Sequence, residues 1–331
     1  MQTRMENPHI QLVTMSRWYV VSRAIHAIAK LGLANHMSLE SMKIDDLAEL
    51  SGTQPELLAR LLKFLSIYGL FNCDGISCSL TELSFPLRDD APNSVSAVMN
   101  MVDDSWWQAF SNIDKSLKTG GTAFVLEHGE DFFTYLSKNL EKQANYDKGM
   151  ARLSSFEDEA IAKSFDFSQF LTLIVIRGGQ GGLAKAIAQN NPSLELIIFD
   201  KDAVISELKK EDLSEKISLV SGDFFAEIPK AEAYIFKGVL HDFNDQTMHE
   251  ILSNCRKQMP NNASLFIAEQ ALPDDDKPHP NKTMDIVMMV LLGGKQRRVD
   301  EWIKSVELAG FSFHESYKTD SLFTLLEFKP N

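Results

Sequence analysis

The chain has 331 residues, of which 44% are hydrophobic and 24% are charged, an ordinary globular composition. This length predicts about two domains. The net charge of −13 argues against nucleic acid and anionic membrane as partners, because both are bound through clustered Lys and Arg. There is no uncharged apolar run of about 18 residues and no signal-peptide pattern, so we expect neither a membrane span nor export.

The chain contains three cysteines, Cys73, Cys78 and Cys255, whose spacing fits no metal site. Such sparse cysteine usage is typical of proteins from a reducing cytoplasm. We therefore expect a cytoplasmic protein in which these residues are buried or incidental thiols.

The front of the chain has a winged-helix pattern. Apolar positions at helical spacing run through residues 8–37, and two helices separated by a turn follow over 44–71. The step Thr53–Glu56 is expected to cap the second of these helices, and Asp74-Gly75 marks the tip of a hairpin. Winged helices often bind DNA, but residues 1–95 carry eight Lys plus Arg against ten Asp plus Glu. An apolar dimer interface is the favoured interpretation.

The rest of the chain predicts a helical segment and then an α/β domain. Residues 96–165 are helical and rich in aromatic residues. Buried strands are predicted after Phe170, with helices between them, at 171–176, 194–200, 217–222, 233–238 and 265–270. Strands alternating with helices predict a doubly wound, mostly parallel, Rossmann-like sheet. The predicted divisions are 1–95, 96–165 and 166–331.

A glycine-rich turn, Arg177-Gly178-Gly179-Gln180-Gly181-Gly182, follows the first of these strands. Glycines let the backbone approach a ligand, and the next helix begins with free N–H groups. Asp200 ends the next strand, where a carboxylate can accept hydrogen bonds from both ribose hydroxyls. These features favour an adenosine-type cofactor, either a dinucleotide or S-adenosylmethionine.

A second signal, Lys237-Gly238-Val239-Leu240-His241-Asp242-Phe243, follows another strand. Ligands of open parallel sheets bind beyond the carboxyl ends of the strands. There His241 could take a proton from a hydroxyl near neutral pH. Glu269 ends the following strand and could orient this imidazole.

The order of short motifs along the chain resembles one enzyme family. GG-x-GG, FD, GDFF, K-x-VLHDF-x-D, R-x-x-MP, AEQ-x-LP and GGK-x-R occur in this order, preceded by VSRAIHAIAKLGLANHM and LKTGGTAFVLEHGEDFF. In this the chain resembles the plant caffeate-type O-methyltransferases and their bacterial relatives, from about residue 12 to 328. The resemblance implies a methyltransferase fold with a dimerising front domain.

The resemblance also implies roles for single residues. Gly178, Gly179 and Gly181 would hold the methionine part of S-adenosylmethionine, Asp200 its ribose, and Asp223 with Phe224 its adenine, with Lys237 nearby. His241 would be the general base, supported by Glu269, and methyl transfer would need no metal. The acceptor would be a small, aromatic hydroxyl compound, and the front domains would form a homodimer. Candidates to line the acceptor pocket are Trp106, Trp107, Phe110, Met150, Met284, Met288 and Met289.

Three positions depart from the family pattern. Val175 stands in place of an acid, Arg177 in place of the first glycine of the turn, and Gln296 in place of a second glutamate of the plant enzymes. A cation 4 Å from a positive cofactor costs about 4 kcal/mol at an effective dielectric of about 20. S-adenosylmethionine-dependent methylation is thus one hypothesis. The alternative is a methyltransferase fold used for hydroxylation, decarboxylation or rearrangement in secondary metabolism, or a non-catalytic dimeric partner.

Overall fold

The computed structural model describes residues 7–331. The chain divides into two compact units, one formed by the described residues up to Asp103 with Leu140–Arg152, the other by Asp104–Asn139 with Leu153–Asn331. The predicted helical segment 96–165 is therefore shared between both units. Among residues 7–331, no helix has the length and apolar character needed to cross a membrane.

The first unit contains the predicted helices and hairpin. Its helices are α1 (Pro8–Met15), α2 (Trp18–Lys30), α3 (Ile44–Ser51), α4 (Pro55–Ser66) and α5 (Ser96–Asn100), and its strands are β1 (Met42–Lys43), β2 (Phe71–Cys73) and β3 (Ser77–Leu80). The strands form an antiparallel sheet in the order β1-β3-β2. Pro55 begins α4 as expected, but the Gln54 side chain makes no capping hydrogen bond. The Thr53 hydroxyl is instead 3.0 Å from that of Ser51.

The hairpin corrects one prediction. Cys73 of β2 and Cys78 of β3 are directly opposite in the antiparallel register, and they form a disulfide. The expectation of incidental thiols is wrong for this pair, because hairpin geometry brings the two side chains together. Cys255 is a buried free thiol, as predicted.

The second unit begins with α6 (Asp104–Phe110), α7 (Ile113–Thr119), α8 (Ala123–His128) and α9 (Phe132–Ser137). The chain then enters α10 (Leu140–Lys163), whose last eleven residues belong to this unit. Aromatic rings pack edge to face here, with Phe124 and Phe132 fully buried at 5.2 Å between centroids. The turn Gly120-Gly121 separates α7 from α8.

A seven-stranded sheet forms the rest of this unit. Its strands are β4 (Thr172–Ile176), β5 (Glu195–Asp200), β6 (Ile217–Ser221), β7 (Ala233–Lys237), β8 (Ser264–Glu269), β9 (Phe311–Lys318) and β10 (Thr324–Pro330). Its helices are α11 (Gly182–Asn190), α12 (Asp202–Ile205), α13 (Asp245–Gln258), α14 (Pro280–Leu291) and α15 (Val299–Leu308). The order is β6-β5-β4-β7-β8-β10-β9, and the first five strands are parallel. The Rossmann-like prediction is confirmed.

The sheet order reverses between β4 and β7, which are neighbours although β5 and β6 come between them in the chain. Ligands of such sheets bind where the order reverses, beyond the carboxyl ends of the strands. The segments that follow β4 and β7 begin with Arg177 and Gly238. The fold therefore brings the two sequence signals to one place.

Candidate active site

The glycine-rich turn connects β4 to α11. Arg177 N donates to Phe199 O at 2.7 Å, and Gly181, with φ 78°, is the residue before α11. Asp200, at the end of β5, is buried, and its Oδ2 accepts a hydrogen bond from Gly179 N at 3.0 Å. The predicted partnership between the turn and Asp200 is thus present in the structure.

His241 lies in a 3₁₀ turn after β7, and Glu269 fixes its orientation. Nδ1 of His241 is 2.5 Å from Oε2 of Glu269, whose side chain is only 1% exposed. The other oxygen, Oε1, accepts hydrogen bonds from the backbone N–H groups of Val239, Leu240 and His241 at 3.2, 2.9 and 3.4 Å. Glu269 therefore holds both the turn and the imidazole ring.

This pairing changes the protonation of His241. Burial lowers the pKa of an imidazole, but the charge of Glu269 and its hydrogen bond outweigh burial here, with a smaller contribution from Asp242. Together they raise the pKa of His241 to about 9. Because Nδ1 is committed to Glu269, Nε2 is the ring nitrogen that can exchange a proton with a ligand.

Arg177 contacts the same turn. Its guanidinium pairs with Oδ2 of Asp242 and lies over the Phe133 ring, 4.9 Å from the centroid. Among residues 7–331, Arg177 is the one non-glycine residue with a positive φ, 55°. The charge that was expected to repel a cationic cofactor is therefore neutralised by a neighbouring carboxylate.

Lys237, at the end of β7, is held by two acids of α10. Its Nζ is 2.5 Å from Oδ1 of Asp158 and 3.4 Å from Oε2 of Glu157, and all three side chains are nearly buried. Burial raises the pKa of both carboxyl groups, and Lys237 opposes this effect. An amino group so closely paired is fixed in position.

The segment after α14 packs on the His241 turn. Lys295 N donates to His241 O at 2.8 Å, and a Cβ at Gly294 would overlap that same carbonyl oxygen. Gln296 is 1% exposed, and neither polar atom of its side chain has a hydrogen-bond partner among the described residues. Its backbone N donates to Asp285 at 2.8 Å.

The structure places the remaining predicted residues as follows. Val175 is 2% exposed in the core between the sheet and its helices, in register with Ile198 and Ile235. Phe224 is also in the core, and the exposed ring beside Asp223 is that of Phe225, stacked on Phe224 at 4.8 Å. Phe110 lines an open cleft of about 380 Å³ with residues of α14, but Met284, Met288 and Met289 do not. Met150 lies in the first unit.

Sequence reasoning assigned no role to Asp242, Phe133, Asp158 or Glu157. Asp242 was visible beside His241 in the motif, but its pairing with Arg177 joins residues 65 positions apart. The two acids of α10 lie in an ordinary charged helix, LSSFEDEAIAK, and only the fold brings them to Lys237.

Comparison with known proteins decides the family. The O-methyltransferase domain matches residues 110–312, and the O-methyltransferase dimerisation domain matches residues 13–87. The chain belongs to the O-methyltransferase family. Over 96% of its length, this methyltransferase is 32% identical to the phenazine O-methyltransferase of Lysobacter antibioticus, covering 95% of that protein. The crystal structure of LaPhzM matches with a TM-score of 0.89 at 31% identity, covering 98% of this chain and all of that one.

A second structural relative bears on the cofactor. A methyltransferase of calicheamicin biosynthesis, solved with bound S-adenosylhomocysteine, matches over the full length of both chains with a TM-score of 0.87 and 26% identity. The cofactor of the present chain, as a member of this family, is S-adenosylmethionine. The comparisons support methyl transfer to a hydroxyl group and give no support to the alternative of a methyltransferase fold without methylation.

The site fits this cofactor electrostatically. Five carboxylates, from Glu157, Asp158, Asp200, Asp242 and Glu269, stand against three cations, Arg177, Lys237 and the protonated His241. S-adenosylmethionine carries a sulfonium, an ammonium and a carboxylate, and hence a net positive charge. An excess of carboxylates favours such a ligand.

Proposed function

We propose that His241 is the general base that removes the proton from the acceptor hydroxyl, and that Glu269 orients it. The observation that carries this proposal is the 2.5 Å contact between His241 Nδ1 and the buried carboxylate of Glu269 at the carboxyl end of β8. Glu269 holds one proton on Nδ1, and Nε2 becomes a base when the imidazolium loses its other proton. Because the pKa is about 9, methyl transfer should speed up as the pH rises toward that value, and the base forms at a higher pH than the near-neutral one expected from the sequence. S-adenosylmethionine supplies the electrophilic methyl group.

The residues proposed to hold the cofactor are Gly178, Gly179, Gly181, Asp200, Asp223, Phe224 and Lys237. Asp200 supports this assignment because its buried carboxylate already accepts from Gly179 N and Lys201 N and retains lone pairs for a ribose. Lys237 is proposed to face the cofactor because β7 ends beside β4 and its glycine-rich turn, and its ion pairs with α10 hold it there. Phe225 joins the adenine region by its exposed ring.

We propose an aromatic hydroxyl compound as the acceptor. Relatives include the phenazine O-methyltransferase and a 3-amino-4-hydroxybenzoate 4-O-methyltransferase of Streptomyces cremeus, 28% identical over 95% of this chain. Trp106, Trp107 and Phe110 lie on α6, near α14 in the fold. Such flat side chains suit a planar ligand. Met150, Met284, Met288 and Met289 remain proposed pocket residues.

The test uses His241→Ala with the exposed His249→Ala of α13 as the matched control. The acceptors are a hydroxyphenazine, 3-amino-4-hydroxybenzoate and 1,4-dihydroxy-2-naphthoic acid, assayed with labelled S-adenosylmethionine. We expect kcat to fall about 10²- to 10⁴-fold in His241→Ala, with cofactor binding retained in calorimetry, and no change in the control. Undiminished turnover by His241→Ala would refute the base assignment.

We also propose a cytoplasmic homodimer formed through the front of the chain. Large apolar side chains of α1 and α2 are exposed, among them Leu12, Trp18 and Tyr19. Contiguous exposed apolar surface marks interaction sites. Sedimentation should give about twice the 37.2 kDa chain mass for the wild type, and Leu12→Asp with Tyr19→Asp should yield monomers. The exposed Leu308→Asp is the control, and a monomeric wild type would contradict the proposal.

A further inference from the structure

The Asp242 carboxylate lies near Nε2 of His241, the ring nitrogen that is not bonded to Glu269. Nδ1 is bonded to Glu269, and Oδ1 of Asp242 lies 3.4 Å from Nε2. A carboxylate that moved closer would accept a full hydrogen bond from a protonated Nε2. It would then stabilise the imidazolium and occupy the nitrogen that an acceptor hydroxyl must reach.

Arg177 holds that carboxylate by its other oxygen. The guanidinium pairs with Oδ2 of Asp242, and the Phe133 ring covers it at 4.9 Å. The Asp242 side chain is 9% exposed, so water screens this pair weakly. The positive φ of Arg177 is an unfavourable backbone conformation for a residue with a Cβ. The guanidinium contacts offset this backbone cost.

We propose that Arg177 is a positioning residue for methyl transfer, which keeps the Asp242 carboxylate away from Nε2 of His241 so that the acceptor hydroxyl can bind there. This inference rests on the proposed role of His241 as the base. It gives the family departure at position 177 a function, instead of treating it as damage to the cofactor site.

The charged groups that face the imidazole come from three segments. Glu269 belongs to β8, Asp242 to the His241 turn, and Arg177 to the turn after β4. The two carboxylates favour the imidazolium, and Arg177 opposes it. Removing the arginine should therefore raise the pKa of His241 for two reasons. A positive charge near the imidazole is lost, and the Asp242 carboxylate is no longer held away from Nε2.

The variants should separate charge from backbone conformation. Arg177→Asn removes the charge and tolerates a positive φ, whereas Arg177→Lys keeps the charge on an equally constrained backbone. We expect Arg177→Asn to lower kcat/KM at pH 7 about ten-fold, with activity recovered at higher pH, since a nearby charge shifts a pKa by about one or more. Arg177→Lys should retain most of the activity, and Arg177→Asn/Asp242→Asn should regain activity relative to Arg177→Asn.

Histidine NMR gives a readout that does not need turnover. The titration midpoint of His241 should rise in Arg177→Asn and fall again when Asp242→Asn is added. A midpoint and pH–rate profile equal to the wild type in Arg177→Asn, even with lower thermal stability, would overturn the proposal and leave a purely structural arginine. If the wild type methylates none of the three acceptors, the proposed acceptor class fails, but the NMR titration still decides how Arg177 acts on Asp242 and His241.

Discussion

Two turns lie side by side at the carboxyl edge of the sheet but differ in how closely they follow the family pattern. The turn after β7 keeps the His241–Glu269 pair, with Glu269 binding three backbone N–H groups and the imidazole. At the end of β4, Val175 stands in place of the family's acid, and in the turn that follows Arg177 stands in place of a glycine. Because Arg177 pairs with Asp242, the altered turn now supports the preserved one. The charge that a substitution adds at the end of one strand can thus be paired by a carboxylate in the turn after the neighbouring strand.

The largest effect is expected from removing the anchor of the preserved turn. Glu269→Ala leaves the imidazole and three buried N–H groups without their acceptor. The free energy of unfolding should fall by about 3–5 kcal/mol, as when a buried pair loses one partner, and kcat by about 10³-fold. Urea unfolding and the methyl-transfer assay measure both. Glu250→Ala, on the exposed face of α13, is the control, and an unaltered unfolding midpoint for Glu269→Ala would contradict this account.

Restoring the family's acid at position 175 of β4 should lower the stability of this chain. Val175→Asp places a carboxylate among the apolar residues that surround Val175. We expect a loss of about 3 kcal/mol or more, with a raised pKa for the new acid. Since the folded state then binds the extra proton, the deficit against wild type grows as the pH rises above about 4. Val175→Asn should show a deficit that does not change with pH. A stable Val175→Asp protein at pH 8 would mean that the turn can rearrange.

The His241–Glu269 pair should make stability depend on pH. The folded pKa of His241, about 9, is above the unfolded value near 6.5, so its contribution is complete below pH 6.5 and is lost as the pH rises through about 9. This contribution amounts to about 3 kcal/mol. Urea unfolding at pH 6 and pH 9.5 should show the wild type losing more than His241→Asn does. Equal losses would show that the pair is not ionic in the folded protein.

The smallest effect concerns the third departure, Gln296. Its side-chain amide is buried without a hydrogen-bond partner among residues 7–331, which costs about 1–3 kcal/mol. Gln296→Met, of similar shape, should therefore raise the free energy of unfolding by about 1 kcal/mol, measured in urea. Gln296→Glu, which restores the plant residue, should destabilise the protein by burying a charge. Destabilisation by Gln296→Met would indicate that the amide has a partner in solution.

The sequence predicted most of the fold because periodicity is local. The strands β4 to β8 follow continuous apolar runs, and the helix–hairpin order of the first unit follows its turn residues. The antiparallel strands β9 and β10 were not predicted, since FSFHESYK of β9 alternates weakly and β10 pairs with β8, which is distant in the chain. The Cys73–Cys78 bond was missed because sparse cysteines were taken as evidence of free thiols.

For the site, the motifs located His241, Glu269, Asp200 and the glycine turn, which the structure brings together. The direction in which each side chain points could not be predicted from the sequence. That Arg177 pairs with Asp242, or that Lys237 pairs with acids of α10, depends on packing between segments far apart in the chain. The exposed ring at Phe225 and the buried one at Phe224 likewise follow from which face of the segment the core covers.

Gly294 and Gly179 should tolerate different substitutions. Gly179 has φ 53° with open space where a Cβ would be, so its constraint is conformational and asparagine should survive there. Gly294 has no such φ, yet a Cβ would overlap the carbonyl of His241. Every side chain at 294 would displace the backbone of His241. Engineering a new acceptor range should therefore spare this position and diversify α6 and α14 instead.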